Sequence, residues 1–336
     1  MRYDLVAVVA SRRGIPQLCE LVAQLPPEFG TPVVCLVEAD QRLLSEVSAK
    51  TQLPVKWAEA GEVAQPGHVY LSRPGTSIVM LEGCRFTVSP VGPESSALHT
   101  VDGFLASASR SCGPRALCVI LAAFPEDGAE GAHMIKWRGG TVLVLDRATA
   151  EYYGMADAIV KAGSYDRIIT ASEVGGALRA SFTGRDLLEN AELQFELGIL
   201  LDAALRISGT HMGDIQLLEP VSGRLHLIAN RGLGRDYVDR FGIVRTDDQL
   251  PCTLAVRHKH RVVIENVFED AQYVRFRAIA RTNGYSALQA TPLFSNGDTA
   301  GVLSTLYPYP HSLSPHESKS LDDIAQSARE LLREPR

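Results

Sequence analysis

The sequence lacks several features that would assign it to a class of protein at once. Its longest hydrophobic runs, such as residues 116–124, hold eight or nine residues, far fewer than a membrane span needs. It has no basic block, and its formal net charge is −6, from 33 basic and 39 acidic residues, so nothing indicates a nucleic-acid-binding surface. The N-terminus enters a strand-like run without a charged leader or a cleavage site. We therefore expect a cytoplasmic protein that binds neither membranes nor nucleic acid.

Cysteine pairs at metal-binding or redox-motif spacing are also missing. The six cysteines show no CxxC spacing, and several lie inside apolar runs. This pattern is typical of reduced, packed thiols rather than of a disulfide framework or a zinc site. The sequence predicts no metal site and no cofactor.

A length of 336 residues favours two domains, and the first half alternates between two patterns. Short, solid apolar runs predict strands that are buried on both faces, and helical patterns fill most of the gaps between them. The predicted strands are Leu5–Ala10, Pro32–Glu38, Ala116–Ala123, Thr141–Leu145 and Arg167–Thr170. A β-rich insert is expected at 54–88. The alternation predicts a doubly wound α/β domain with a mostly parallel sheet.

The pattern changes near residue 181. A long helix is predicted over 186–207, followed by pairs of strands and a closing helix at 315–333. Between the last two strands, Asn296-Gly297-Asp298 is a strong hairpin signal. We therefore predict an α/β domain over 1–183 and an α+β domain with an antiparallel sheet over 187–336.

Ser11 occupies the carboxyl end of the first predicted strand, where parallel sheets place their chemistry. A phosphate cradle is disfavoured, because the corner has a single glycine, Gly14, and neither glycine-rich phosphate motif. A helix cap is the commonest use of a serine at such a corner. A nucleophile would additionally need a histidine base and an orienting carboxylate, and Asp127 follows another buried strand.

Four segments in the first half match a known pattern in order. They are Pro66-Gly-His-Val-Tyr-Leu71, His99-Thr-Val-Asp102, Val119–Gly131 and Tyr153-Gly-Met155. Together they make this half resemble the catalytic domain of the CheB-type protein-glutamate methylesterases of chemotaxis. The resemblance implies a doubly wound α/β fold and hydrolysis of glutamyl methyl esters by serine, histidine and aspartate.

The resemblance preserves only part of that triad. Ser11 and Asp127 stand at the positions of the nucleophile and the orienting carboxylate, but Ala39 stands where the family has its histidine. We interpret Ser11 and Asp127 as remnants of a triad and expect no serine-dependent esterase activity, with Ser11 now serving as a cap. The alternative is an active methylesterase or deamidase with a rearranged base.

The rest of the family's cleft is changed as well. Arg12 and Arg13 replace the two small residues after the serine, and Phe124 lies in an altered segment before Asp127. The two arginines either face an acidic partner or are solvated surface charge.

The second half resembles a GAF domain, a small-molecule and signalling module of bacterial sensors. The resemblance rests on five segments, which are Gly213–Glu219, Leu225–Leu233, Val262–Val267, Ala287–Leu293 and Gly301–Thr305. It implies a possible small-molecule ligand whose identity the sequence does not give. Cys252 is followed by Thr253, so the cysteine–histidine pair of bilin attachment is missing, and we interpret Cys252 as a packed helix residue.

The predicted helix at 186–207 carries two apolar stripes. The second stripe consists of Leu188, Phe195 and Ile199. One domain needs a single stripe, so the second either forms a homodimer or is covered by the first domain. The sequence as a whole predicts a bacterial signalling protein that acts by protein interaction or by ligand sensing. Its expected partners are signalling proteins such as chemoreceptors or kinases.

Overall fold

The computed structural model describes residues 3–38, 40–91, 100–121, 127–147, 154–170, 173–176, 178 and 190–332. The chain divides into two compact units, Met1–Thr183 and Gly184–Arg336. The predicted boundary lies within residues 179–189, outside the described ranges, and stays a prediction. Within those ranges, no helix combines the length and the apolar character that crossing a membrane requires.

A seven-stranded sheet, parallel in every pairing, forms the centre of the first unit. Its strands are β1 (Leu5–Ala10), β2 (Val33–Val37), β3 (Val55–Trp57), β4 (Val69–Leu71), β7 (Ala116–Ile120), β8 (Thr141–Leu145) and β9 (Arg167–Ile169). Their order across the sheet is β3-β4-β2-β1-β7-β8-β9. Every residue of β1, β2, β7 and β8 is buried, as their solid apolar runs predict.

Helices follow most of these strands and pack on the sheet. They are α1 (Ile15–Ala23), α2 (Leu43–Ser48), α3 (Thr100–Cys112), α4 (Ala129–Trp137) and α5 (Gly154–Lys161), and residues 173–176 are also helical. The predicted doubly wound α/β fold is confirmed.

The predicted β-rich insert at 54–88 is partly wrong. The strands β3 and β4 belong to the main sheet, because Val69–Leu71 is fully buried and pairs in parallel with both β2 and β3. Only β5 (Thr76–Leu81) and β6 (Arg85–Pro90) form a separate antiparallel pair. Three-residue strands are too short for a sequence pattern to assign them to a sheet.

The order of the strands defines a switch point between β1 and β7. The chain leaves β1 towards β2 on one side, whereas it leaves β7 towards β8 on the other. The backbone amide of Leu121 extends this pairing by donating to the carbonyl of Val9 at 2.9 Å. Ser11 follows β1 and Asp127 follows β7, so both lie at the edge where open α/β sheets bind ligands.

The second unit contains a six-stranded antiparallel sheet in the order β12-β11-β10-β15-β14-β13. Its strands are β10 (Met212–Glu219), β11 (Arg224–Arg231), β12 (Ile243–Arg245), β13 (Val262–Ile264), β14 (Ala287–Ser295) and β15 (Asp298–Tyr307). The predicted hairpin is confirmed: Ser295 pairs with Asp298, and Asn296 and Gly297 have φ of 49° and 92°. Two consecutive positive φ angles are the mark of a tight type I′ turn.

Two hydrophobic clusters lie in this unit. One joins the sheet to α6 (Ala191–Ile207) and α10 (Pro315–Leu331). The other joins it to α7 (Arg235–Phe241), α8 (Pro251–His258) and α9 (Arg277–Asn283). The predicted α+β fold with an antiparallel sheet is therefore confirmed.

The helix that the sequence places at 186–207 begins later, at Ala191. Asn190 caps it: the residue is extended, with φ −82° and ψ 99°, and its side chain accepts a hydrogen bond from the amide of Leu193 at 3.0 Å. In the first apolar stripe Leu193, Leu197, Leu201, Ala204 and Leu205 are buried and Leu200 is half-buried, whereas Phe195 and Ile199 of the second stripe are 71% and 51% exposed. Leu188 lies outside the described residues.

Candidate functional site

The Ser11 corner is a strand end that leads directly into a short 3₁₀ turn, Arg12–Gly14, and then into α1. Ser11 is extended and only 5% exposed. Its carbonyl accepts a hydrogen bond from the amide of Gly14 at 2.9 Å, but its side chain makes no capping hydrogen bond. Ser11 occupies the N-cap position of this turn, as predicted, but the hydrogen bond that closes the turn is accepted by its backbone carbonyl and not by its hydroxyl.

The two arginines after Ser11 are exposed. Nη2 of Arg12 lies 2.5 Å from Oδ2 of Asp40, which follows β2, and Oδ1 of Asp40 accepts from the backbone amide of Arg42 at 2.9 Å. This ion pair joins the carboxyl ends of β1 and β2. Asp40 therefore neutralises the charge of Arg12 beside the position where the resemblance expects a base.

The carboxylate of Asp127 is bound to the first turn of α3. It accepts from the backbone amides of Val101 and Asp102 at 3.0 and 2.9 Å, and from the hydroxyl of Thr100 at 3.5 Å. A negative charge in this place satisfies amides that have no partner within the helix and complements the helix dipole. Among the described residues, every hydrogen bond of this carboxylate goes to α3, so Asp127 acts as a helix cap.

Asp102, in the first turn of α3, accepts a hydrogen bond from α4. Its Oδ1 accepts from the amide of Gly131 on α4 at 2.6 Å. Burial raises the pKa of Asp102, and the charge of Asp127 raises it further. The two helices are close here, because a Cβ on Gly131 would lie 2.6 Å from the Cβ of Leu105. The two aspartates thus join α3, α4 and the end of β7 into one bonded unit.

Two further residues of the predicted cleft remain, together with histidines of this domain that the prediction does not place in the site. Ala39 and Phe124 lie outside the described residues, as does His99. The histidines at 68 and 133 have partners elsewhere: Nδ1 of His68 lies 3.1 Å from the carbonyl of Pro66, and Nδ1 of His133 lies 3.1 Å from the hydroxyl of Ser164.

The second unit contains a buried carboxylate that the sequence analysis did not single out. Asp214, on β10, is 1% exposed, and its Oδ2 accepts from the hydroxyl of Tyr237 at 2.5 Å. Its Oδ1 has no hydrogen-bond partner among the described residues. Burial raises the pKa of Asp214 to about 6, against the opposing effect of the Tyr237 and Ser304 hydroxyls.

Aromatic side chains surround this carboxylate. The hydroxyls of Tyr273 and Tyr285 lie 2.8 Å apart, and the ring of Tyr237 packs on Phe241 with centroids 4.8 Å apart. The space left between the sheet and the helices is a cavity of about 30 Å³ lined by Gln216, Tyr237, Phe241, Leu250, Pro251, Cys252, Tyr273, Leu288, Ser304 and Leu306. A cavity of this size holds about one water molecule. Cys252 packs against this core, as predicted.

A larger concavity of about 350 Å³ lies where β13, β14 and α10 meet. Arg261 spans it, donating from Nε to the hydroxyl of Thr291 at 2.7 Å and pairing with Asp322 at 2.5 Å. Lys259, His260 and Arg329 line the same groove. Nε of Arg329 is buried and has no hydrogen-bond partner within the described ranges.

Sequence reasoning missed four residues of these sites: Asp40, Asp102, Asp214 and Tyr237. For Asp102 a signal existed, because the residue closes the His99–Asp102 segment that resembles the methylesterase motif. For Asp214 the signal was a carboxylate inside an apolar strand. A buried carboxylate needs a donor, and Tyr237, 23 residues later, supplies it.

Comparison with protein families places both halves of the chain. A model of the CheB methylesterase family matches residues 6–178, and a model of the GAF domain matches residues 191–333. The first match covers slightly more than half of the chain. The chain therefore belongs to the CheB methylesterase family, and a GAF domain follows the methylesterase segment.

Curated relatives match about half of the chain. One, from Anaeromyxobacter dehalogenans strain 2CP-C, is named protein-glutamate methylesterase/protein-glutamine glutaminase 2 and is 32% identical over 182 residues, 53% of each chain. Another, of the group 1 operon of Pseudomonas putida KT2440, is 34% identical over 180 residues, 52% of this chain and 48% of its own. The chain thus spans about half the length of the curated relatives that it matches.

Solved structures of both kinds of domain resemble parts of the chain. The CheB methylesterase catalytic domain of Thermotoga maritima covers 53% of this chain and 98% of its own, with 24% identity and a TM-score of 0.48. The GAF domain of an Acinetobacter phosphoenolpyruvate-protein phosphotransferase covers 43% and 84%, with 17% identity and a TM-score of 0.36.

Proposed function

We propose that this chain is a bacterial signalling protein whose CheB methylesterase domain no longer hydrolyses esters and acts by binding other proteins. The observation that carries the proposal is the bonding of Asp127. Both of its oxygens accept from the backbone amides that open α3, so the carboxylate serves a helix rather than an imidazole. The position expected for that imidazole holds Ala39.

The chemistry of a serine nucleophile explains why this arrangement is inactive. A hydroxyl attacks an ester only if a base removes its proton in the same step. Loss of the base from a triad lowers turnover by about 10⁴- to 10⁶-fold. Arg12 and Arg13 add bulk beside Ser11, where an ester carbonyl and its oxyanion donors would have to fit.

Binding of a protein surface survives the loss of hydrolysis. The relatives are named for action on glutamate and glutamine side chains of proteins, so their domain has to accommodate a protein chain. We propose that the present domain retains such a surface and that its partners are signalling proteins such as chemoreceptors or kinases. A cytoplasmic location stays a prediction.

The GAF domain is the proposed sensing part of the chain, and its ligand is unknown. The interior cavity of about 30 Å³ is too small for a nucleotide-sized ligand, which needs roughly 300 Å³ or more. The groove that Arg261 spans, at about 350 Å³, is the better candidate for a small molecule. Arg261 pairs there with Asp322, and Lys259 pairs with Asp298. Arg329, whose buried Nε has no hydrogen-bond partner within the described ranges, is therefore the lining cation that favours an anionic ligand.

We further propose that the protein is a homodimer that buries the second apolar stripe of α6. Phe195 and Ile199 are four residues apart and therefore lie on one face of the helix, largely exposed. Leu188 completes the stripe in the sequence.

The alternative function is an active methylesterase or glutaminase with a rearranged base. It is favoured by the names of the relatives, which are enzymes that share 32% and 34% of their aligned residues with this chain. One experiment separates the two functions.

Methanol release from a methylated receptor should be compared between the wild type and Ser11→Ala. We expect equal rates within about twofold, since one general base normally contributes about 10²-fold or more and none is predicted here. A wild type that exceeds Ser11→Ala by about a hundredfold has a base and is an esterase. Circular dichroism of both proteins controls for folding, and an active curated relative controls the substrate.

A further inference from the structure

Two of the six cysteines lie next to each other although 28 residues separate them in the sequence. Cys84 lies in the turn between β5 and β6, and Cys112 is the last residue of α3. Their sulfurs are 3.8 Å apart, and both thiols are free. A disulfide bond needs about 2.05 Å between the sulfurs, so the two sulfurs have to approach each other by about 1.8 Å.

The backbone at Cys84 is in an unfavourable conformation. Its φ is +56°, in the left-handed region that side chains other than glycine seldom occupy. Two hydrogen bonds fix the surrounding pair of strands on α3. The hydroxyl of Ser111 donates to the carbonyl of Leu81 at 2.9 Å, and the amide of Met80 donates to the hydroxyl of Ser107 at 2.9 Å. The two cysteines are therefore held close together by elements that already pack on each other.

The two thiols differ in reactivity. A hydrogen bond from Cys112 lowers the pKa of Cys84 to about 7, and the charge of Arg115 contributes in the same direction, against burial and Asp4. That same bond and burial raise the pKa of Cys112. Cys84 is half-buried, whereas Cys112 is 6% exposed. An accessible thiolate beside a protected thiol is the arrangement of an attacking and a resolving cysteine.

The other four thiols lack this arrangement. Burial raises the pKa of each of them, and Cys35 and Cys118 are completely buried. Cys19, which is half-buried on α1, is the matched control because its exposure is similar to that of Cys84.

We propose that Cys84 and Cys112 are a modification site at which a peroxide forms a reversible disulfide bond. The thiolate of Cys84 attacks one oxygen of the peroxide, which breaks the O–O bond, gives a sulfenic acid and releases hydroxide or alkoxide. The sulfur of Cys112 then attacks the sulfenic sulfur, forms the S–S bond and releases water as its proton leaves. Two thiols are oxidised by two electrons, and one peroxide is reduced.

The bond would fix the strand pair β5–β6 covalently to α3, the helix whose other end receives Asp127. Oxidation would thereby stiffen the helix that Asp127 caps. This consequence does not depend on the catalytic state of Ser11.

The test is hydrogen peroxide treatment of the full chain, followed by alkylation, trypsin and mass spectrometry without reductant. Trypsin cleaves after Arg85, Arg110 and Arg115, so the two cysteines fall on separate peptides. We expect these peptides to be joined with loss of two hydrogens, and dithiothreitol to separate them. Cys84 should react at least about tenfold faster than Cys19, following its thiolate fraction.

Two variants and one control assign the roles. In Cys112→Ser, Cys84 should accumulate as a sulfenic acid that dimedone captures, whereas in Cys84→Ser, Cys112 should remain alkylatable. Cys19→Ser should form the disulfide as the wild type does. The proposal is overturned if wild-type Cys84 reaches the sulfinic acid without a joined peptide, if both thiols stay alkylatable, or if Cys19→Ser abolishes the link.

Discussion

Each of the two domains contains an aspartate with an unusual environment, and the two aspartates differ in burial and in hydrogen-bond donors. Asp127, in the methylesterase domain, is half-buried and accepts from two backbone amides. Asp214, in the GAF domain, is buried among tyrosines and accepts from one hydroxyl, with its other oxygen unpartnered in the described part of the chain. The same residue type thus stabilises a helix end in one domain and carries an unfavourable charge in the other.

This contrast shows how the surroundings of a carboxylate decide whether it has a structural role or titrates near neutral pH. A carboxylate that accepts from backbone amides at a helix N-terminus caps the helix and has a structural role. A buried carboxylate with few donors is held near its point of titration and responds to its surroundings. The half-buried Asp127 is held by the amides of α3, whereas Asp214, in the interior, is the group that responds to pH.

The largest effect of the predicted substitutions is expected for the exposed apolar stripe on α6, which we propose forms the dimer. Leu188, Phe195 and Ile199 changed together to serine should raise the dimer dissociation constant at least about a hundredfold, because each buried apolar side chain contributes about 1.5–3 kcal/mol. Light scattering measures the mass. Ile243→Ser, at another exposed apolar residue of the same domain, is the control and should leave the dimer intact. A wild type that is already monomeric refutes the dimer.

The buried carboxylate predicts a pH dependence of the GAF domain. The pKa of Asp214 is raised on folding, to about 6. Its favourable contribution to the free energy of unfolding is therefore complete below about pH 4 and is lost as the pH rises through 6. Asp214→Asn carries no charge, so it should be more stable than the wild type above pH 6, by up to roughly 3 kcal/mol, and this gain should vanish towards pH 4.

Denaturant unfolding of the full chain between pH 4.5 and 8 measures this difference. The free energy is taken from the transition in which the GAF domain unfolds. Asp239→Asn, at an exposed carboxylate on α7, is the control and should show little pH dependence. An Asp214→Asn variant that is less stable than the wild type at pH 8 would show that the charge is needed in the fold.

Removal of the Asp127 carboxylate should have an intermediate effect on the methylesterase domain. Asp127→Ala leaves the amides of Val101 and Asp102 without their cap and should lower the free energy of unfolding by about 1–2 kcal/mol. Asp127→Asn keeps an acceptor oxygen and should recover more than half of that loss. Equal losses in both variants would mean that the charge, and not the cap, is what α3 requires.

The smallest effect is expected at Arg12. Its ion pair with Asp40 joins two side chains that are 68% and 49% exposed, and such surface pairs contribute about 0–1 kcal/mol. Arg12→Ala should therefore change the free energy of unfolding by less than about 0.5 kcal/mol, equal within error to the matched Arg13→Ala. A loss several times larger would mean that the pair organises the ends of β1 and β2.

Sequence patterns predicted those elements whose burial or turn geometry determines which residues they contain. The solid runs of β1 and β8 predicted the parallel sheet, and Asn296-Gly297 predicted a hairpin that needs two positive φ angles. The sequence also placed Ser11 and Asp127 each after a buried strand of the predicted parallel sheet.

The sequence patterns did not predict contacts between segments that are distant in the chain. Asp127 bonds to a helix that starts 27 residues earlier in the chain, and Asp214 meets a tyrosine on a helix beside the sheet. Cys84 and Cys112 meet only because β5 packs on α3. No local periodicity records such pairings, since each depends on how two elements are docked.

The central claim is that Ser11 is an unactivated hydroxyl, and a fluorophosphonate tests it directly. This reagent transfers its phosphonyl group to a serine oxygen whose proton a base removes, with loss of fluoride. Intact-mass measurement should show the wild type as unlabelled as Ser11→Ala, while a hydrolase with a complete Ser-His-Asp triad is labelled in the same tube. Stoichiometric labelling of the wild type at Ser11, abolished in Ser11→Ala, would contradict the account.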